Sequence, residues 1–251
     1  MLSPCSTDTI VQALVHARRT GAPTPIAQAH PEPTADEAYA VQAGVARQLG
    51  WFTQRPLAWK VGGHPQTSAA PLPVVLHSPA CAEVGGDVLV EAELAFRLSR
   101  TPTHPEDVMA CLGTVCVSIE WIATRLANGL QAPAHWKLAD QGVHGGLVVG
   151  PEQPFEAWAH FTEGDWCQQA CELSIHGQAP TQAKGSHPSV NPLLALPWLY
   201  THAAQHTSAL QAGDLITTGA WLVARAQPGD TVDVRFEGLG TCSLHIANSA
   251  G

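Results

Sequence analysis

The chain has 251 residues, of which 45% are hydrophobic and 13% are charged, so it can bury one large core, and extended disorder is disfavoured. The formal net charge is −9 and no basic run occurs, which argues against nucleic acid and anionic membranes as partners. Seven scattered cysteines without a C-x-x-C pair, and no apolar run of the roughly 18 residues that a membrane span needs, predict a cytoplasmic protein with reduced thiols.

Two amphipathic helices are predicted near the N-terminus. Ser6 or Thr7 can cap the first, which runs to about Arg19. Thr34 and Glu37 have the spacing of a capping box and open the second helix, which ends near residue 50. The first 55 residues are therefore predicted to form a helical region.

Residues 56–251 are predicted to form a separate unit in which strands dominate. The order of its elements lacks regular βαβ alternation, which favours an α+β fold with a mixed, barrel-like sheet and flanking helices. The predicted elements begin with a short strand at 56–63, a loop at 64–80, a strand at 88–98, a helix that begins at Pro105 and a strand at 115–119. They continue with a loop and then a buried strand within 135–150, a strand pair turning at 176–177, a helix at 191–206, and alternating strands from 210 onward.

The stretch "VEAELAFRL" (90–98) combines strand alternation with two carboxylates. Glu91 and Glu93 occupy alternate positions, and the positions between and around them carry the apolar residues Val90, Ala92, Leu94, Phe96 and Leu98. Residues i and i+2 of a strand project from the same face, about 6–7 Å apart. Two ionised carboxylates at that spacing repel each other unless water, protons or a cation intervene. The pair is either the solvated face of an ordinary strand or part of a cation site.

Glu120 is the only charged residue within the apolar run 115–122. A charge in that setting is expected to be paired or to bind a metal. Either Glu120 pairs with Arg125, or it joins Glu91 and Glu93 around a hard cation such as Mg²⁺ or Mn²⁺.

Lys60 stands in "WKVGG", between a tryptophan and a turn that contains glycines. It is either a surface residue, or a partly desolvated lysine whose lowered pKa suits an acid/base or an anion anchor. His202 and His206 have helical i, i+4 spacing, but Ala203 stands where a zincin motif requires Glu. Two partly exposed helix histidines are therefore expected there.

Five segments, "EAELAF", "SIEWIATR", "LADQGVHGGLVVG", "LQAGDLITTGAW" and "QPGDTVDVRFEGLGTCSL", occur along the chain in that order. The order resembles the fumarylacetoacetate hydrolase superfamily, and within it the 2-keto-4-pentenoate hydratase / 4-oxalocrotonate decarboxylase branch. "EAYAVQ" and "KVGGHP" fit that branch too, and the resemblance covers residues 8–246.

The resemblance implies a mixed β-roll, usually oligomeric, with Mg²⁺ or Mn²⁺ bound by three acidic side chains. These map onto Glu91, Glu93 and Glu120. The family's site lysine maps onto Lys60, which becomes the candidate for proton transfer or for anchoring a substrate carboxylate. The Asp of the family's Ala-Asp-Asn segment maps onto Asp140, a candidate for orienting water or the lysine.

The resemblance also implies residues that line the substrate pocket. The family's Thr-Gly maps onto Thr218 and Gly219. A second substrate carboxylate would need a cationic partner, for which Arg97, Arg125 and Lys137 are candidates.

The sequence departs from the family pattern at three places. Residues 64–80 contain no acidic residue, although the family carries an acidic element in this loop. Gln141 replaces the Asn of Ala-Asp-Asn, and Val190-Asn191-Pro192 replaces a Gly-x-Pro. The first departure affects the acid/base assignment.

The activity that the resemblance implies is metal-dependent hydration of 2-hydroxypenta-2,4-dienoate to 4-hydroxy-2-oxopentanoate, in the catabolism of aromatic compounds. The same metal platform supports decarboxylation of 2-oxohex-3-enedioate (4-oxalocrotonate) and hydrolysis of acylpyruvates. A different class of function is a catalytically impaired member that serves as partner subunit to a hydratase or decarboxylase of the same pathway. The expected partners are otherwise a small 2-oxo acid or dienol and further copies of this chain.

Overall fold

A computed structural model describes residues 5–63 and 66–248. The α-helices are α1 (Thr7–Thr20), α2 (Ile26–Ala29), α3 (Ala35–Leu49), α4 (Ala134–Ala139), α5 (Glu163–Trp166) and α6 (Leu196–His206). The strands are β1 (Ala58–Gly62), β2 (Ser68–Pro71), β3 (Val75–His77), β4 (Ala80–Val84), β5 (Val88–Leu98), β6 (Leu112–Ile122), β7 (His144–Val149), β8 (Gln153–Pro154), β9 (Ala170–Ile175), β10 (Thr181–Lys184), β11 (Leu215–Thr217), β12 (Leu222–Ala226), β13 (Thr231–Phe236) and β14 (Gly240–Asn248).

Local signals set the ends of the two long N-terminal helices, as predicted. The Ser6 hydroxyl caps α1, and Thr34 and Glu37 form a reciprocal capping box at the start of α3. Gly21 and Gly50 end the helices in the left-handed conformation that glycine adopts without a steric penalty. Both predicted helices are confirmed.

Within residues 5–63 and 66–248, the strands form two sheets. The larger has nine strands in the order β2-β1-β11-β5-β6-β7-β3, with β12 also paired to β5 and β8 to β6. The smaller has five, in the order β10-β9-β13-β14-β4. Apolar residues of β5 and β6 pack against β9, β13 and β14 to form the main core. The residues that alternate with these apolar ones, including Glu91 and Glu93, therefore lie on the opposite face of the larger sheet.

Strand β5 pairs with two different strands along the same edge. Ala95 pairs with Thr217, the last residue of β11, and Ala92 pairs with Leu222, the first residue of β12. The four residues between β11 and β12 have no ladder partner on β5, and this gap lies opposite Glu93. This break opens the sheet at the position where one of the candidate metal ligands projects.

The helical N-terminal region packs on the rest of the chain. Helices α1 and α3 share a core cluster with Leu126 and with Trp136 of α4. Gln42 of α3 also donates a 2.7 Å hydrogen bond to the carbonyl of Leu138. The division into a helical region (1–55) and a β-roll unit (56–251) stays a prediction.

Three secondary-structure predictions were wrong. The segment 64–80 contains β2, β3 and the start of β4, although residues 64 and 65 lie outside the described part. Its alanines and prolines have low strand propensity, and pairing with β1 and β7 supplies the order instead. The helix predicted from Pro105 is two short 3₁₀ turns, 105–107 and 109–111. Helix α4 lies where a loop was expected.

The seven cysteines are all free, as predicted. Within the described ranges, no helix is both long and apolar enough to cross a membrane.

Gly146 tests how tightly β7 packs on β6. A Cβ at this position would overlap the ring of Trp121, so Gly146→Ala forces that ring or the backbone to move. We expect the free energy of unfolding, measured by urea denaturation, to fall by about 1–3 kcal/mol. Gly86→Ala is the matched control, because no atom lies within 4 Å of a Cβ there. Equal stability of the two variants would contradict this packing.

Candidate functional site

The three predicted metal ligands lie on one face of the larger sheet. Glu91 pairs directly with Glu120 across β5 and β6, and Glu93 pairs with Ser118. Directly paired residues of an antiparallel sheet project to the same side. One oxygen atom from each of the three glutamates lies within 4.8 Å of the others. Glu93 and Glu120 are buried, and Glu91 is partly exposed.

The two oxygen atoms of Glu120 have different surroundings. Oε1 accepts hydrogen bonds from Lys60 Nζ at 2.6 Å and from His144 Nδ1 at 2.9 Å. Oε2 is buried, and no described residue donates to it. The alternative prediction that Glu120 pairs with Arg125 was wrong, because Glu120 pairs with Lys60 and Arg125 pairs with Asp140.

The carboxylates of the cluster differ in pKa. Burial raises the pKa of Glu93 well above its usual range, and the charges of Glu120 and Glu91 raise it further. The hydroxyl of Thr217 donates a hydrogen bond to Glu93, which acts in the opposite direction. Burial also acts to raise the pKa of Glu120, but the charges and hydrogen bonds of Lys60 and His144 together outweigh it, and that pKa is lowered.

The residues present fit a hard divalent cation. Three carboxylates converge, and one buried oxygen, Oε2 of Glu120, has no described hydrogen-bond donor. Buried polar atoms are almost always satisfied, so an unpartnered carboxylate oxygen in a group of three indicates a missing positive partner. Oxygen donors without thiolate or imidazole are the ligand set that suits Mg²⁺ or Mn²⁺.

Lys60 lies beside this cluster on the same sheet face. It pairs with Thr217 across the parallel strands β1 and β11, and Nζ donates to Glu120 and, at 3.2 Å, to the carbonyl of Gly142. Burial acts to lower the pKa of Lys60, but the negative charges of the cluster, that of Glu120 above all, outweigh it and the pKa is raised. The expectation that the pKa of Lys60 is lowered is therefore wrong for the protein without a bound cation.

A cavity of about 270 Å³ opens beside Lys60, Glu91 and Glu93, and the backbone of Gly219 lines it. A second cavity of about 370 Å³ shares Lys60 and Glu91 with the first and continues toward Lys137. Together they form an inner compartment beside Glu93 and an outer compartment beside Lys137, each lined by both polar and apolar groups. A small organic acid can occupy the first compartment and extend into the second.

Thr218 and Gly219 lie in the break between β11 and β12. The hydroxyl of Thr218 donates to the carbonyl of Leu94 at 3.4 Å, and the carbonyl of Thr218 accepts a hydrogen bond from His187 Nε2 at 2.8 Å. Gly219 has a φ of 104°, which side-chain-bearing residues rarely adopt. Thr218 is thus held by the protein, while Gly219 lines the cavity.

Asp140 and Arg125 form a buried clamp. Arg125 Nε donates to Asp140 Oδ1 at 2.6 Å, and the Arg125 backbone N–H and the Thr124 hydroxyl donate to Oδ2 at 2.8 and 3.0 Å. Nη1 and Nη2 of Arg125 donate to the carbonyls of His144 and Asp140. Arg18 of α1 adds a further cation at 3.6 Å from Asp140. The guanidinium of Arg125 thus ties the Asp140 carboxylate to both ends of the turn 140–144.

That turn has an unusual backbone. Gln141, Gly142 and Val143 have φ values of 57°, 60° and 57°, a conformation that costs energy for a β-branched residue such as valine. The Gln141 amide donates to the carbonyl of Pro71 at 2.8 Å. The turn places the Gly142 carbonyl on Lys60 and His144 on Glu120, so the strained backbone is held at the site.

Sequence reasoning missed His144. In a regular β6–β7 ladder, alternation from Leu147 would turn its side chain to the opposite face. The register shifts between Trp121 and Ile122, so that Ile122 pairs with His144. Such a bulge re-aims a side chain and has no clear sequence signal beyond the glycines that follow. Burial lowers the pKa of His144.

His202 and His206 lie away from the carboxylates. Their rings stack at 4.4 Å, and His202 also stacks on Trp198 at 4.5 Å. His202 is buried rather than partly exposed as predicted, because Tyr39 of α3 packs against it.

Asp140→Asn tests the clamp. Removing the charge leaves the guanidinium of Arg125, which is only 10% exposed, without its anion, and we expect a loss of about 3–5 kcal/mol in the free energy of unfolding. Chemical denaturation measures it. Asp87→Asn is the control, because Asp87 and its partner Arg225 are both exposed and such pairs contribute about 1 kcal/mol or less. Unchanged stability of Asp140→Asn would contradict a structural role for this carboxylate.

Known proteins resemble this chain over most of its length. It is 26% identical over 247 residues to the 2-hydroxyhexa-2,4-dienoate hydratase of Comamonas testosteroni, covering 88% of this chain and 90% of that protein. It is 24% identical to the 2-keto-4-pentenoate hydratase of Paraburkholderia xenovorans (strain LB400), with 96% and 94% covered.

A solved structure confirms the predicted fold class. The 4-oxalocrotonate decarboxylase from Pseudomonas putida G7, complexed with magnesium and adipate, superposes with a TM-score of 0.79 at 20% identity, covering 96% of this chain and 97% of that one. Both have the mixed α+β fold with a curled half-barrel sheet. Residues 36–247 match the family described as fumarylacetoacetate (FAA) hydrolase C-terminal, and the chain therefore belongs to the fumarylacetoacetate hydrolase family.

Proposed function

We propose that this protein is a divalent-cation-dependent lyase of the 2-keto-4-pentenoate hydratase type, which hydrates 2-hydroxypenta-2,4-dienoate-like substrates to 4-hydroxy-2-oxo acids. The observation that carries the proposal is the group of three converging carboxylates with one unpartnered buried oxygen, beside a lysine and a cavity of about 270 Å³. The hydratases among the relatives support the reaction class.

Glu91, Glu93 and Glu120 are proposed to hold Mg²⁺ or Mn²⁺. When bound, the cation would supply the positive charge that stabilises the electron-rich form of a 2-oxo acid during proton transfer. The remaining chemistry belongs to side chains that line the cavity.

Lys60 is proposed to hold and deliver a proton. An ammonium group has three N–H donors, and two are used by Glu120 and Gly142. The third is available to a ligand in the cavity that Lys60 lines. In the proposed reaction the dienol loses its hydroxyl proton and becomes a ketone as C5 gains a proton, and water then adds across the C3=C4 bond, with the hydroxyl on C4 and the hydrogen on C3. Lys60 is the candidate for the proton transfer or for anchoring the substrate carboxylate.

Asp140 and Arg125 are proposed to act through other residues. Their hydrogen bonds hold the turn that carries Gly142 and His144, so we assign both as positioning residues in place of the water-orienting and substrate-binding roles expected from the sequence. Gly219 is proposed to face the substrate, with Thr218 fixing its position.

The cavity wall formed by β2 carries no acid. Ser68, Ala69 and Ala70 line it, and the whole segment 64–80 lacks Asp and Glu. The proton chemistry of this protein is therefore proposed to centre on Lys60, without the acidic loop element of the family.

Glu93→Gln tests the metal role. The amide keeps the size of the side chain and removes one of the three charges, so we expect Mg²⁺-dependent hydration to fall by roughly two orders of magnitude or more. The measurement is turnover of 2-hydroxypenta-2,4-dienoate with and without EDTA. Glu83→Gln, an exposed strand glutamate outside the cluster, is the matched control. Turnover that is indifferent to EDTA, or equal in wild type and Glu93→Gln, would contradict a metal role.

The position of Lys137 supports a second candidate activity, decarboxylation of 2-oxohex-3-enedioate. Of the three cations considered for a second substrate carboxylate, Arg97 is paired with Glu152 at 2.6 Å and Arg125 with Asp140. Lys137 lines the outer cavity, and the hydrogen bond that it donates to the carbonyl of Leu130 is a long one, 3.4 Å. It is the candidate best placed to meet the far end of a dicarboxylate.

Lys137→Met separates the two candidate activities. If the substrate is a dicarboxylate, we expect kcat/KM to fall by about tenfold, the effect of losing roughly 1.4 kcal/mol of charge-assisted hydrogen bonding. Turnover of a monocarboxylate should not change. Lys184→Met, at an exposed position of β10, is the control. An equal loss with both substrates would argue against a role for Lys137 in recognising a second carboxylate.

A panel of 2-oxo acids and dienols tests the third alternative, a catalytically impaired partner subunit. The missing loop acid favours that alternative. Turnover of any member of the panel by the purified protein would exclude it.

A further inference from the structure

His144 contacts the carboxylate cluster from within the core. Its side chain is buried, with 1% exposure, and Nδ1 lies 2.9 Å from Oε1 of Glu120. A carboxylate oxygen only accepts hydrogen bonds, so Nδ1 carries the hydrogen and donates it. The second nitrogen, Nε2, is then the acceptor.

The bulge in the β6–β7 ladder accounts for this contact. Ile122 pairs with His144, where a regular ladder would pair it with Gly145. Ile122 and Glu120 are two apart on β6 and share a face. The irregularity therefore turns His144 toward Glu120, at the expense of regular pairing at the start of β7.

Packing alone does not explain an imidazole at this position. Nε2 is buried, and no described residue hydrogen-bonds it. A buried polar atom without a partner is unfavourable, and an apolar ring would occupy similar volume without one. The bond from Nδ1 to Glu120 is the interaction that distinguishes histidine from such a ring.

We propose that His144 is a positioning residue for the metal site: together with Lys60 it occupies Oε1 of Glu120 and leaves Oε2 available to the cation. The inference rests on the proposed function, since it takes Glu120 as a metal ligand. Two donors on one oxygen fix the carboxylate plane, whereas Lys60 alone would hold it through one long, flexible side chain. Hydrogen bonds of this kind to metal ligands typically contribute 10- to 100-fold to metal affinity.

Mn²⁺ binding to the full chain, measured by isothermal titration calorimetry, tests this role. His144→Phe keeps a ring and removes the donor, whereas His144→Asn keeps an N–H near the position of Nδ1. We expect the Kd for Mn²⁺ to rise about 10- to 100-fold in His144→Phe and to stay close to the wild-type value in His144→Asn. His202→Phe is the matched control, a buried histidine stacked on Trp198 outside the cluster, and should leave the Kd unchanged.

Thermal unfolding without metal reports whether each variant folds, and His144→Leu replaces His144→Phe if the latter does not. A folded Phe or Leu variant that binds Mn²⁺ like the wild type would overturn the inference, and so would an Asn variant that binds as weakly as the Phe variant. Either result would leave the proposed function standing, because the wild type would still bind the metal. A wild-type protein that binds no Mn²⁺ would overturn both.

Discussion

Repulsion among three carboxylates on one sheet face is the constraint on which the site depends. At 4.8 Å two unit charges repel by about 3.5 kcal/mol at an effective dielectric constant of about 20. Lys60 supplies one positive charge next to Glu120, and the fully ionised cluster with Lys60 still carries two negative charges. A divalent cation matches that remainder, and without one the raised pKa of Glu93 favours retention of a proton.

A second buried charge system keeps the first in place. Arg125 pairs with Asp140 and also donates to the carbonyls at both ends of the turn 140–144. That turn delivers the Gly142 carbonyl to Lys60 and the imidazole of His144 to Glu120. Asp140 and Glu120 therefore each pair with a different basic residue, Asp140 with Arg125 and Glu120 with Lys60. The strained backbone between them is held from both sides.

The parts of this arrangement that depend on local pattern could be predicted from the sequence. Strand alternation placed Glu91 and Glu93 on one face, and an apolar setting marked Glu120. What could not be predicted depends on contacts between distant segments. His144 reaches the site only through a register shift, and the strands within 64–80 form through pairing with their neighbours, against their own propensity. Spacing likewise does not reveal which arginine meets which carboxylate.

The break opposite Glu93 has a consequence for how this fold can vary. Because β11 and β12 pair with separate halves of β5, the residues 218–221 between them belong to neither ladder. Two of these residues are fixed: Trp221 is buried in the main core and its N–H donates to the carbonyl of Ala92 at 2.8 Å, and the carbonyl of Thr218 accepts from His187. Ala220, by contrast, lines the cavity. A change of side chain at position 220 therefore alters the cavity wall without altering either register, and hence without altering the spacing of the carboxylates on β5.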